Sequence, residues 1–422
     1  MRDETSNNIH IQGGRLIDPK SGVDATSDVF IADGRVAAIG QKPDGFQVGQ
    51  VIDAQGKVVC PGLVDLSTRL AGVESELAAA VAGGVTSVAC PPDTKPPLDE
   101  PGLVERLIRR SGALGLARVF PIGALTQQLS GEKLSEMISL SRAGCIAFSQ
   151  AKKPILDTQV LLRAMQYAAT FDYAIHLSPQ DHYLARDGVA HDGEVASRLG
   201  LTGIPVSAET VAIATALHLA KVTGVRLHLA RLSSAAGVEM VREAKQSGLK
   251  VSCDVAVHHL HLSDVDIGYF DSRARMDPPL RSASDREALR AAVADGVAAV
   301  CSDHTPVDED GKQLPFGEAV PGAVGLELLL PLTLKWATES GQSLASALAR
   351  VTCDPAAILG VDAGTLAVGS AADVCVFDPA ASWTITPERL RSQGKNTPFM
   401  GSEMVGKVCA TLVGGSIVYQ AG

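Results

Sequence analysis

The 422-residue chain has no apolar run of the ~18 residues that a membrane-spanning helix needs. It also has no excess of positive charge: 37 Lys and Arg stand against 47 Asp and Glu, a net charge of -10. That balance argues against a nucleic-acid surface and against an anionic membrane. The eight cysteines are scattered, with no Cys-x-x-Cys, and most sit in apolar runs such as Val297-Ala298-Ala299-Val300-Cys301. Buried free thiols in a reducing compartment are expected. Met1-Arg2-Asp3-Glu4-Thr5 is polar and acidic, unlike a signal peptide, so the expected location is cytoplasmic. No Gly-x-Gly-x-x-Gly follows an apolar run, which argues against a dinucleotide fold. No Gly-x-Ser-x-Gly marks a nucleophile elbow. There is no internal repeat and no low-complexity tract.

What is present is a chain 46% hydrophobic, long enough for one large domain and a small one. Its two ends read as short strands broken by Gly and Asp turns. Gly14–Asp18, Asp28–Gly34 and Arg35–Gly40 lie at one end; Ala372–Asp378 and Val408–Gly415 lie at the other. Both ends are expected to build one small β-sandwich, from residues 1–57 plus 361–422. Between them, residues 58–360 alternate short apolar runs with helical stretches such as Ala208–Thr223 and Ser284–Asp295. The runs include Thr86–Cys90, Ala117–Gly123, Gly144–Phe148, Tyr173–His176, Val225–Leu229, Lys250–Val255 and Val297–Cys301. Repetition at this count predicts an α/β fold, a (β/α)8 TIM-like barrel, with a doubly wound sheet as the main alternative.

In such a barrel the chemistry sits at the C-terminal ends of the strands. The most informative stretch is Cys60-Pro61-Gly62-Leu63-Val64-Asp65-Leu66-Ser67-Thr68-Arg69-Leu70. An apolar run enters a Pro-Gly turn and then a short strand, on which Ser67 and Arg69 share one face. Further strand ends carry Ala82–Val88, Ile146–Ser149, Glu194–Leu199, Gly203–Pro205 and Val257–Leu260. Asp277-Pro278-Pro279-Leu280-Arg281, Ser302-Asp303-His304-Thr305-Pro306, Val324–Glu327 and Gly394–Phe399 follow. The ordered set, running over nearly the whole chain, resembles the dihydroorotase family of the amidohydrolase superfamily, of the class found beside aspartate transcarbamoylase in many bacteria.

That resemblance implies a metal-dependent site in which metals activate a water and a barrel-end Asp moves the proton. Position by position, little of it remains. The His-x-His pair falls on Ser67 and Arg69. The acidic ligand after Ala-Phe-Ser falls on Gln150, and a later His ligand falls on Arg231. His176 and the catalytic Asp, Asp303, are retained, as is His228. A hydroxyl is a poor zinc donor and a guanidinium has no lone pair to give. Zinc is therefore expected to be absent, with no cofactor in its place. On the substrate side, an Arg of active relatives falls on Ala71, and two Asn fall on Asp93 and Asp277. The stretch after Leu70 is also shorter than the family's loop at the barrel mouth. A carboxylate ~4 Å from a substrate carboxylate opposes it by roughly 4 kcal/mol at an effective dielectric near 20. The pocket is thus expected to have changed sign.

Bland readings stand beside these. His176 reads as a hydrogen-bonded core or rim histidine more readily than as a ligand. His259 and His261 read as structural, with a relocated metal pair as the alternative. Asp303 is buried in such a frame and needs a partner. Arg69, Arg231 or both are expected to pair with it and to fill the space of the metals, unless they serve unrelated acids nearby. The favoured function is a catalytically inactive homologue that helps aspartate transcarbamoylase assemble, the partner the resemblance implies; self-dimerisation is a second association. The alternative is a divergent amidohydrolase, or an anion-binding protein using Arg69 and Arg231.

Overall fold

The computed structural model describes residues 8–421; the polar stretch Met1–Thr5 lies outside them. Eight parallel strands run in the order of the chain around a barrel: Leu63–Asp65, Val85–Cys90, Arg118–Ala124, Ala147–Ser149, Ala174–Leu177, Arg226–Leu229, Val251–Ala256 and Ala299–Cys301. Each apolar run named above supplies one of them. These strands are buried on both faces, which is why they read as nearly continuous apolar segments rather than alternating ones.

The first and eighth strands do not pair along their lengths; two short links close the seam. Thr68 bridges His304 at the C-terminal end, with Arg69 N donating to His304 O at 2.9 Å and His304 N to Ser67 O at 3.0 Å. Below, Val64 N donates to Val351 O and Val300 N to Arg350 O. The interior is filled by small side chains, Ala89, Ala147, Ala174, Ala256 and Ala299, with Val64 and Ile122, and is plugged by Ala356 and Leu359. A far larger apolar layer lies outside, between strands and helices.

The helices begin where the sequence supplies caps. Ser282 Oγ accepts from Asp285 N at the start of Ala283–Ala294, and Ser234 accepts from Gly237 N before Ala235–Gln246. Val206–Thr223 ends at Gly224, whose φ of 72° suits a residue without Cβ. No helix among the described residues is long and apolar enough to cross a membrane.

The two termini share a second sheet. Its strands, Ile9–Asp18, Val23–Ala32, Arg35–Ile39, Gln50–Asp53, Val58–Pro61, Val374–Thr384, Glu403–Val413 and Ser416–Gln420, are hydrogen-bonded into one continuous mixed sheet. It has its own core, with Ile11, Leu16, Val29, Val59, Val374 and Leu412 fully buried. Val58–Pro61 pairs with both Ile9–Asp18 and Val374–Thr384, so the chain passes from sheet to barrel at Gly62. A Cβ there would stand 2.2 Å from the Thr86 side chain, which leaves only Gly for the crossing.

Candidate functional site

The residues singled out by sequence converge at the C-terminal mouth of the barrel, around Asp303. Ser67 Oγ donates to Asp303 Oδ1 at 3.3 Å, Arg69 Nη1 at 3.1 Å and Arg231 Nη1 at 2.9 Å. Both guanidiniums have come to the one surviving carboxylate. Arg69 continues outward through Nε to Asp93 Oδ2 at 2.9 Å and through Nη1 to Thr305 Oγ1 at 3.0 Å. Arg231 Nη2 donates to Ser178 Oγ.

A third cation, Lys152, was not anticipated from the sequence. Its Nζ lies 3.4 Å from Asp277 Oδ2 and donates to Asp277 O at 2.6 Å. Lys152 stands two residues beyond Gln150, outside any strand periodicity, so only its charge beside a strand end could have flagged it. Three cations, Arg69, Lys152 and Arg231, now face three carboxylates, Asp93, Asp277 and Asp303. This corrects the expectation that Asp93 and Asp277 turn the pocket negative, because each carboxylate has a cation bound to it.

Burial alone would raise the pKa of Asp303, but Arg231, then Lys152 and Arg69, overcome it and hold the carboxyl far below its usual range. Burial likewise opposes ionisation of Asp277 and Asp93, and Lys152 and Arg69 respectively bring both below the usual range. Burial pulls Lys152 down despite Asp277 and Asp303.

The backbone here is strained. Asp303 has φ 42°, Arg231 φ 59° and Ala151 φ 52°, a left-handed region costing a side-chain-bearing residue on the order of 1–2 kcal/mol. The frame holds Asp303 in place from both sides. Asp65 accepts from Ser302 N and Ser302 Oγ, each at 2.6 Å. His304 Nε2 meets Glu76 Oε2 at 2.8 Å, while its Nδ1 accepts from Gly325 N at 3.1 Å. That pattern makes Nε2 the protonated nitrogen.

The remaining histidines are not arranged as ligands. His228 Nε2 lies 2.8 Å from Asp254 Oδ2, and its Nδ1 2.9 Å from Ser252 Oγ. His176 is buried with its ring 4.6 Å from that of His228, and its Nε2 has no partner, contrary to the hydrogen-bonded role expected of it. Burial and His228 push its pKa well below the usual value. His259 Nε2 meets Pro279 O, whereas His261 Nε2 meets Leu332 O, so this pair serves two separate backbone carbonyls. Gln150 is buried, accepting from Thr126 Oγ1 at 2.9 Å, with its Nε2 unpartnered. Ala71 is exposed and leads directly into helix Val73–Ala82.

The donor set does not fit a catalytic metal. Two guanidiniums occupy the carboxylate that would have faced it, and they carry the charge of the ion they would have to admit. Among the described residues, no three His, Cys, Asp or Glu side chains are grouped so as to hold one.

The dihydro-orotase-like family model matches residues 56–236. A dihydroorotase-like protein of Pseudomonas putida is 45% identical over 420 residues, covering 97% of this chain and 99% of that one. The chain belongs to the dihydroorotase-like family of the amidohydrolase superfamily. A second dihydroorotase-like protein, from Pseudomonas aeruginosa, is also 45% identical, over 98% of this chain and 99% of its own. A dihydroorotase of Geobacter sp. (strain M21) is 42% identical over 98% and 100% respectively. Among solved structures, an L-hydantoinase from Arthrobacter aurescens superposes with a TM-score of 0.87 at 25% identity, covering 98% of this chain and 96% of that one. This dihydroorotase-like chain keeps the family's barrel and terminal sheet, and an ion network fills its barrel mouth.

Proposed function

We propose that this chain is a non-catalytic dihydroorotase homologue of pyrimidine biosynthesis. In this reading it works in the cytoplasm as a structural subunit for the catalytic chain of aspartate transcarbamoylase, without zinc or another cofactor. The observation that carries the reading is the double claim on Asp303, with Arg69 and Arg231 both bonded to Oδ1. A general base must be able to take a proton near the working pH. Cations that hold Asp303 ionised far below its usual range make it a poor one. The water-activating metal of active relatives has no donor set at Ser67, Arg69, Gln150 and Arg231.

The assembly role rests on what has been kept. A full-length barrel with a strained, clamped rim survives around a site rebuilt for structure, which favours a function carried by the outer surface. A partner that binds only the folded chain also stabilises it by mass action.

Size-exclusion chromatography of the chain mixed with aspartate transcarbamoylase catalytic chains tests the assembly role. Co-migration as one larger species is expected; separate elution at every ratio overturns it. The chain run alone on the same column reads whether it pairs with itself.

A further inference from the structure

Next to the ion network, sharing Arg231 and Asp277 with it and reaching outward to Lys153 and Arg186, lies a cleft of about 270 Å³. Its charged lining consists of Lys152, Lys153, Arg186 and Arg231 against Asp187 and Asp277. Asp277 is already taken by Lys152, and Arg231 by Asp303. Lys153 and Arg186 are exposed, and among the described residues no carboxylate lies within ion-pair reach of either. The cleft therefore has a surplus of positive charge at its rim.

The hydrogen-bonding demand has the same sign. Arg231 lines this cleft, is only 4% exposed, and its Nε–H has no acceptor. Gln150 lines the adjoining chamber, is 2% exposed, and its Nε2 has no acceptor. Buried donors without acceptors are costly and rare, so each calls for one. The two chambers share Lys153, Pro154, Ser178, Pro179, Gln180 and His182. The second chamber, about 160 Å³ in all, brings the apolar side chains Ile155, Leu156, Leu161, Leu177 and Tyr183, together with Asp181. Leu156 and Tyr183 are left 55% and 63% exposed.

We infer that the joined chambers form a binding site for a small oxyanion attached to a flat apolar group. The oxyanion sits between Lys153, Arg186 and Arg231, and the apolar group lies against Leu156 and Tyr183. The site needs neither a metal nor turnover, so it stands or falls separately from the non-catalytic reading.

The test is isothermal titration of the full-length chain with phenyl phosphate, benzoate, inorganic phosphate and phenol. Saturable binding of phenyl phosphate or benzoate is expected, about tenfold or more tighter than inorganic phosphate, with no binding of phenol. Whichever of the two aromatic probes binds tighter identifies the oxyanion as phosphate or carboxylate. Lys153→Ala and Arg186→Ala are both at exposed positions. Each is expected to weaken binding about tenfold, and raised salt to weaken it further, with the melting temperature of the free chain unchanged. Leu156→Ser is expected to erase the advantage of the aromatic probes over inorganic phosphate. Absence of saturable binding by every anion overturns the inference, as does binding indifferent to both charge substitutions. Turnover of dihydroorotate would overturn the non-catalytic reading and leave this one standing.

Discussion

Replacing Arg231 by Met keeps the unbranched stem as far as the Nε position and removes the guanidinium charge from Asp303. The bond lost is 2.9 Å long, to a carboxylate whose side chain is 3% exposed. Breaking a buried ion pair from one side costs about 3–5 kcal/mol, because the remaining charge is left buried with too few partners. Asp303 would keep Arg69 at 3.1 Å, with Lys152 also contributing, so the cost falls at the lower end, about 3 kcal/mol. Unfolding entropy of roughly 2.1 cal/mol/K per residue over 422 residues amounts to about 0.9 kcal/mol/K, so the melting temperature drops only about 3 °C. Denaturant unfolding at neutral pH is the sharper assay. The decisive comparison is a double-mutant cycle with Asp303→Asn. Removing the carboxylate's charge as well should return about 2 kcal/mol or more, because no buried charge is then stranded by the loss of Arg231. An Arg231→Met variant within about 0.5 kcal/mol of the parent, or a double variant whose cost is the sum of the two, would refute the ion lock.

Other outcomes follow from the same geometry. Burial holds His258 down to about 3 and His259 down to about 4, so both stay neutral in the folded chain while the unfolded chain takes up protons below about 6.5. Stability should therefore fall as pH drops from about 6.5 towards 4, by about 3 kcal/mol for His259 alone, and His259→Gln should flatten that slope in denaturant titrations. An unchanged slope would count against the burial. Asp303 is also held down, but from the lower starting value of a carboxyl group. Its stabilisation is fully present above the unfolded carboxyl value near 4 and is lost only as pH falls further through its depressed folded value, so Asp303→Asn should abolish the steepest part of acid unfolding below pH ~4. Restoring donors with Ser67→His, Arg69→His, Gln150→Asp and Arg231→His together should give a chain that retains about one or two zinc ions through dialysis, measured by elemental analysis, while the parent retains none. Equal zinc retention by both would mean that the metal is held elsewhere.

The barrel was legible because strands buried on both faces must be apolar throughout, and because such runs alternate with helical stretches along residues 58–360. The pairing of Arg69 and Arg231 with Asp303 was legible for a related reason. Side chains at the C-terminal ends of barrel strands share one small mouth, and a buried carboxylate there requires cations. Lys152 was not legible, since it lies beyond its strand end where no periodicity fixes its direction. Missing it left Asp277 without its partner, while Asp93 was misread because Arg69 was assigned to Asp303 alone and its second bond, through Nε, went unread. The unpartnered nitrogens of His176 and Gln150 were equally out of reach, because hydrogen-bond satisfaction depends on tertiary neighbours and not on residue type.

The central claim is that two arginines have replaced the chemistry of this barrel mouth with structure. It is tested most directly by assaying interconversion of carbamoyl-aspartate and dihydroorotate with the purified full-length chain in excess zinc. The expected result is a rate indistinguishable from the protein-free blank. A rate that rises in proportion to the chain and disappears with Asp303→Asn would contradict it.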